Sequence, residues 1–221
     1  MTGSKSYRLL CPIARALDRV GDRWTLLILR DLHAGPARFS DLQAGLKGMA
    51  SNLLTSRLGQ LIEDGFAEKR EADFNMTLYA LTELGKKTAP LLFELALLGG
   101  HLTPAEDIRE PGNLRTVAVT LQAACQRVAP ANLDLRASLV IEGEEFALTV
   151  AAGTVSVLSK VMVDPDIRMT TAYEPMIDVS DGRLALDLFV KKHASLEVFK
   201  EGADQNFMIL MGDAIGVLQP G

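Results

Sequence analysis

One helical stretch of this sequence gathers side chains suited to hydrogen bonding with a large polar partner. Taking about 100° per residue, Asn52, Ser56 and Gly59 fall on one side of a helix that begins at Ser51 and ends before Gly65, with Thr55 beside them. Leu54, Leu58, Leu61 and Ile62 gather on the opposite side, so the helix has one face to bury and one to offer. Short amides and hydroxyls suit base edges and phosphates, and a glycine between them permits close approach to a duplex. Arg57 projects along a flank of the helix and Lys47 lies in the turn before it, both within reach of a phosphate. Lys69 and Arg70 follow at the base of a hairpin, where they would meet a neighbouring groove. The chemistry is non-covalent recognition of double-stranded DNA.

Other chemistry is sparse. His33, His101 and His193 are far apart and show no metal-ligand spacing, and the two cysteines do not form a CxxC pair. No glycine-rich phosphate loop and no GxSxG elbow is present. Glu142, Glu144 and Glu145 cluster at a hairpin and read as a solvated turn. Asp178 and Asp181 flank a helix end and read as capping groups. The expectation is a protein that is not an enzyme and carries no metal or cofactor. A different signal is apolar: Met162, Met169, Met176, Phe189, Phe207, Met208 and Met211 in the second half are adaptable side chains that suit a small hydrophobic ligand. An ordinary methionine-rich core is the alternative for each of them. Cys125, beside Ala123 and Ala124, reads as core.

The elements that would position these groups follow from periodicity and punctuation. Residues 12–20 suggest a short helix with Ile13, Ala16, Leu17 and Val20 on one side. Gly21 interrupts it, and Asp22 can cap a second helix with Trp24, Leu27, Ile28 and Leu32 as core, ending at Gly35-Pro36. Ser40 would cap a third, short helix, and the Asn52 helix is the fourth. Phe66 to Arg70 and Met76 to Leu81 read as strands with EADFN between them as the tip. Thr82 would cap a helix running to Gly100, kinked or broken near Pro90. A short helix, a tight turn, an amphipathic helix and a hairpin make a winged helix-turn-helix, mainly α with a two- or three-stranded wing sheet.

Residues 101–113, with two prolines, a glycine and three acidic residues, read as a linker. A helix over 114–129 follows. Strands come next in LDLRASLVIEG, EEFALTVAAG, TVSVLSKVM and Asp166 to Thr171, then helical sequence over 173–190, a strand in SLEVFKEG and a closing helix. The fold class is therefore α+β: a winged helix-turn-helix at 1–100, a linker, and an α+β domain with a mainly antiparallel sheet at 114–221.

Charge separates the two halves. The whole chain of 221 residues carries a formal net charge of −5. Residues 1–100 hold 13 Lys/Arg against 11 Asp/Glu, whereas 101–221 hold 10 against 17. DNA affinity must then come from a local patch in the first half, with the acidic half kept away from phosphates. The amino-terminal residues lack a secretory pattern, and the longest apolar run, Pro90 to Gly100, is broken by Glu94 and too short for a bilayer. No membrane partner and a cytoplasmic location are expected.

Residues 11–99 resemble the HxlR-type winged-helix transcriptional regulators of bacteria. The resemblance rests on Cys11-Pro12 with Ala16-Leu17, on Gly21-Asp22-Arg23-Trp24, and on Phe39-Ser40-Asp41-Leu42. It continues through Leu53-Leu54-Thr55, Arg57-Leu58 and Leu61-Ile62-Glu63-Asp64-Gly65-Phe66, and closes with Tyr79-Ala80-Leu81-Thr82-Glu83-Leu84-Gly85-Lys86. It implies a homodimer on a pseudo-palindromic operator, with the N-terminal and long C-terminal helices at the dimer interface. The wing departs from the family pattern: Glu71-Ala72-Asp73-Phe74-Asn75 is acidic where basic residues are usual, which weakens phosphate contact there. Cys11, flanked by Arg8 and Arg15, coincides with a position where some members sense oxidants through a thiol, and is the redox candidate. A small residue packed at the interface is its other reading. The second half is similar to the sterol-carrier-protein fold, through DIRMTTAYEPMIDVSDGRLALD and SLEVFKEGADQNFMILMGDAI, which implies an apolar tunnel between sheet and helices. Two alternatives stand beside the effector-modulated regulator: a hydrophobic-ligand carrier that uses the helix-turn-helix for dimerisation, and a redox-sensing regulator acting through Cys11.

Overall fold

Asp22 sets the first long helix. Its carboxylate accepts hydrogen bonds from the Trp24 and Thr25 backbone N–H groups at 3.0 and 3.2 Å, which satisfies two of the donors that every helix start leaves open. In the computed structural model, which describes residues 6–72, 76–100, 102 and 113–219, this helix is α2 (Arg23–His33), preceded by α1 (Pro12–Val20). Ile28, Leu29 and Leu32 of α2 are fully buried, while Trp24 and Leu27, expected in the core, are half-buried at its edge. The Arg23 guanidinium lies 5.5 Å from the Trp24 ring centroid, an arrangement that keeps the indole near solvent.

The third helix, α3 (Phe39–Gly45), starts one residue before the expected cap. Arg38 occupies the cap position, and the Asp41 carboxylate accepts its backbone N–H at 3.2 Å, so Ser40 lies inside the helix and donates to Asp41 instead. After a turn in which the Gln43 amide donates to the Met49 carbonyl, α4 (Ser51–Glu63) buries Leu54, Leu58 and Leu61. The wing is an antiparallel pair, β1 (Ala67–Ala72) and β2 (Met76–Leu81), registered Ala67 to Leu81 and Ala72 to Met76. Ala37 and Tyr79 exchange backbone hydrogen bonds of 2.9 and 2.8 Å and add a one-residue third strand. Glu71 and Ala72 belong to β1, so the hairpin tip is shorter than EADFN; Asp73 to Asn75 lie outside the described residues.

Thr82 caps as expected, its hydroxyl accepting the Gly85 N–H at 3.1 Å, but the helix it starts is only α5 (Glu83–Lys86). The chain turns at Lys87-Thr88 and begins α6 (Ala89–Gly100), with Pro90 in the first turn, where its missing N–H costs nothing. Of the kink or break expected near Pro90, the chain makes the break, just before the proline, so the helical stretch after Thr82 is two helices. Contacts divide the chain into compact units at Met1–Thr88 and Ala89–Gly221, and α6 packs on α7 (Thr116–Val128) in the second. The expected linker, 101–113, lies outside the described residues except for Leu102 and Asn113.

The second unit holds a five-stranded sheet in the order β5-β4-β3-β6-β7, built from β3 (Leu135–Ile141), β4 (Glu144–Ala151), β5 (Thr154–Ser159), β6 (Ile167–Thr171) and β7 (Ala194–Val198). Only β3 and β6 pair in parallel, which agrees with the mainly antiparallel expectation. Both hairpins of β3-β4-β5 turn on two residues with positive φ, Glu142-Gly143 and Ala152-Gly153, the geometry that matches strand twist. Between β6 and β7 the helical stretch breaks into α8 (Tyr173–Ser180) and α9 (Leu186–His193), and α10 (Ala203–Leu218) closes the chain. The break falls at Asp181-Gly182, where Gly182 takes a φ of 72°. Leu135, Ala137, Leu139 and Ile141 alternate toward the face on which α7 and α10 pack.

Candidate nucleic-acid interface and apolar cavity

The outward face of α4 carries the hydrogen-bonding groups. Ser51, Asn52, Thr55 and Ser56 are exposed, and Gly59 is half-exposed with open space above it. The Leu54, Leu58 and Leu61 stripe fixes this face outward by burying the other. Two of these groups also serve the helix: the Asn52 side-chain oxygen accepts the Leu53 N–H at 2.8 Å, and the Thr55 hydroxyl donates to the Ser51 carbonyl at 2.9 Å. Lys47 is exposed in the turn before α4.

Arg57, Lys69 and Arg70 are held by the protein itself. Arg57 donates to the Asp22 carboxylate at 3.2 Å, and its Nε is buried with no hydrogen-bond partner among the described residues. It therefore ties α4 to the start of α2. The sequence placed Asp22 as a cap and Arg57 as a phosphate contact; their pairing across 35 residues leaves no local signal. Arg70 pairs with Glu68 of its own strand, and the Lys69 ammonium lies 5.9 Å from the Tyr79 ring centroid.

Cys11 is the half-exposed cap residue of α1, with no side-chain capping bond. Beside it stands an apolar surface: Ile13 is 70% and Leu17 46% exposed, with Tyr7, Leu9 and Leu10 also in solvent. On α1 only Ala14 and Val20 are buried, which separates Val20 from the stripe it was expected to share.

In the second unit a cavity of about 170 Å³ opens between α7, α8, α9, α10 and the β3 and β6 strands. Met169, Met176, Phe189, Phe207, Met208 and Met211 line it. Met162 does not: it sits over the other face of the sheet with Asp164, Pro165, Arg168 and Phe199, near the Arg136 guanidinium. Its position in the loop after β5 carries it across the sheet edge, and alternation within strands gives no information about a loop residue. The sequence reading passed over Thr116, Thr120 and Leu121 of α7 and Tyr173 and Ile177 of α8, which line the cavity as well. For Leu121 the apolar stripe of α7 was the available signal.

The clustered acidic residues of the second unit make structural contacts. Glu145 accepts from the Ser138 hydroxyl at 2.7 Å and the Met162 N–H at 2.9 Å, and Glu142 accepts the Tyr173 N–H at the start of α8. Asp181 is the C-cap residue of α8, its backbone N–H donating to the Ile177 and Val179 carbonyls, and the Asp178 and Asp181 carboxylates bracket Arg183 at 2.8 and 2.6 Å across the α8–α9 break. Burial pushes the Cys125 thiol up to about 12, so it stays protonated within the core. Among the described residues, no group of three or more His, Cys, Asp or Glu could hold a metal, and no helix is long and apolar enough to cross a membrane.

The HxlR-like helix-turn-helix model matches residues 19–107. The chain is 37% identical over 94 residues to the uncharacterized HTH-type transcriptional regulator Rv3095 of Mycobacterium tuberculosis, covering 42% of this chain and 59% of that relative. It thus spans about three fifths of that protein. To the uncharacterized HTH-type transcriptional regulator YvaP of Bacillus subtilis it is 33% identical over 91 residues, covering 39% of this chain and 83% of YvaP. The crystal structure of PA1607 aligns with a TM-score of 0.42 at 36% identity, covering 46% of this chain and 72% of that one. With YvaP matched at 33% identity over more than two thirds of its length, the chain belongs to the HxlR-like helix-turn-helix family.

Proposed function

We propose that this protein is a transcription regulator that binds operator DNA as a homodimer, placing α4 in the major groove, and that a small hydrophobic molecule in the second unit modulates it. The observation that carries the reading is the exposed Asn52, Thr55 and Ser56 face, held outward by a buried leucine stripe in a helix-turn-helix of this family. Ser51 and Lys47 flank that face and suit phosphates, and Arg57 contributes by fixing α4 against Asp22. Lys69 and Arg70 would contact the neighbouring groove only by leaving Tyr79 and Glu68, so the wing adds little affinity. With Arg57 and Arg70 paired to carboxylates, a single copy gains little from counterion release at these positions, and two half-sites are needed for tight binding. The exposed apolar surface of Tyr7, Leu9, Leu10, Ile13 and Leu17 supports dimerisation, since such surface is costly in a monomer.

The test is Asn52→Ala/Ser56→Ala against DNA from the chain's own upstream region, measured by mobility shift. Two lost base contacts should weaken binding by at least about tenfold, since one good contact is worth 1–3 kcal/mol. Wild-type affinity in this double variant overturns readout by α4. Ile13→Lys/Leu17→Lys should give a monomer by analytical ultracentrifugation; a persistent dimer removes the α1 interface.

A further inference from the structure

We infer that the cavity of the second unit selects an uncharged, largely apolar molecule of about one substituted ring, with a single hydroxyl, and rejects carboxylates and phosphates of the same size. This rests on the effector reading above and names the ligand class that reading leaves open. Three observations carry it. First, among the described lining residues none is Asp, Glu, Lys, Arg or His, so an ionised ligand would lose its hydration and gain no counter-charge. Second, the cavity measures about 170 Å³. A cavity of about 150 Å³ lined by Leu, Ile and Phe takes benzene, so this one accepts a ring with a short substituent. Third, its polar groups are hydroxyls, and two have their protons spent: Ser180 donates to the Met176 carbonyl at 3.1 Å and Thr120 to the Thr116 carbonyl at 3.4 Å. Each still has oxygen lone pairs, so they favour a ligand that donates.

Met176, Met208 and Met211 form the adaptable part of the wall, which can repack around different ring substituents. Selectivity therefore lies in charge and in the one donor, more than in shape.

The experiment uses the full chain and three probes of matched size: 4-propylphenol, propylbenzene and 4-propylbenzoate, by calorimetry and ligand-observed NMR at pH 7.5. The phenol should bind, propylbenzene more weakly, and the benzoate at least about a hundredfold more weakly than the phenol, the scale of burying an unpaired charge. Thr120→Val keeps the shape and removes the acceptor. It should cost the phenol about fivefold and leave propylbenzene unchanged. Ala214→Phe, at a fully buried lining position, should abolish binding of both neutral probes; circular dichroism checks its fold, and Thr120→Val decides the matter where it does not fold. Benzoate binding as tight as phenol overturns the ligand class and leaves the cavity as a binding site. Failure of all three probes overturns the effector reading itself. Phenol binding that is unchanged in both variants places the ligand elsewhere and overturns the inference.

Discussion

The first unit presents its chemistry on a surface, and the second encloses its own in an interior. On α4 the groups that matter are polar and exposed, and most nearby charges are already engaged: Arg57 with Asp22, Arg70 with Glu68, Arg30 with buried Asp31. In the second unit the cavity is defined by what its wall lacks, a charged group. A surface reader needs its side chains held still by polar ties. A cavity needs side chains that yield. Under the proposed function, the polar ties of the first unit and the methionines of the second answer two recognition problems, and perturbing them should have unlike effects.

The largest effect is expected where backbone meets backbone in the first unit. A Cβ on Gly85 would lie 2.0 Å from the Phe66 carbonyl oxygen, an atom that also accepts the Thr82 N–H and cannot withdraw cheaply. Gly85→Ala should cost about 4 kcal/mol, at the upper end for overpacking, or yield no folded first unit. Urea unfolding followed through Trp24, the one tryptophan, reports on this unit alone. An unaltered midpoint would mean that the α5 turn is not held in this packing. The same unit should also be acid-sensitive. Burial lowers the His33 pKa from 6.5 to about 4, and its Nε2 lies 2.9 Å from the Thr88 hydroxyl. The unfolded chain binds more protons than the folded one between those values, so stability is complete above pH 6.5 and falls as pH drops toward 4. The loss reaches about 3 kcal/mol. His33→Gln should flatten the dependence in that window, and an unchanged slope would assign it to other groups.

Asp22 tests whether a cap also aims the reading helix. Asp22→Ala removes two backbone acceptors and strips Arg57 of its counter-ion beside an already unpartnered Nε, so about 2 kcal/mol should be lost. Asp22→Asn keeps the cap and should lose about half of that. If both variants keep full DNA affinity, the Asp22–Arg57 tie stabilises the fold without positioning α4.

Most of the first unit was legible because its signals are local. Asp22 caps two residues ahead, the leucine stripe repeats within one helix, and Thr82 caps three residues ahead. An error arose where several groups compete: Asp41 takes the N–H of Arg38 and moves the α3 cap off Ser40. In the second unit the strands were legible from alternation and paired turn residues, but the cavity was only half so. Methionine and phenylalanine marked six of its walls, whereas Thr116, Thr120 and Tyr173 gave no cue, because a hydroxyl on an amphipathic helix looks the same whether it faces solvent or a cavity. Long-range polar ties such as Arg57 to Asp22 leave no periodic trace either.

The smallest predicted effect concerns Thr55, which shares the reading face but has a prior commitment. Its hydroxyl proton goes to the Ser51 carbonyl at 2.9 Å, a back-bond one helical turn away, so it can only accept from DNA. Ser56 is exposed and shows no such bond among the described hydrogen bonds, so it can donate as well as accept. Thr55→Val preserves shape and the γ-methyl and should weaken operator binding by no more than about twofold, whereas Ser56→Ala should cost about fivefold, one neutral hydrogen bond. Mobility-shift titrations at one fixed salt concentration measure both. A Thr55→Val loss as large as that of Ser56→Ala would mean that the back-bond breaks on DNA binding. The surface site would then be as adaptable as the cavity, and the contrast between the two units would fail at its polar end.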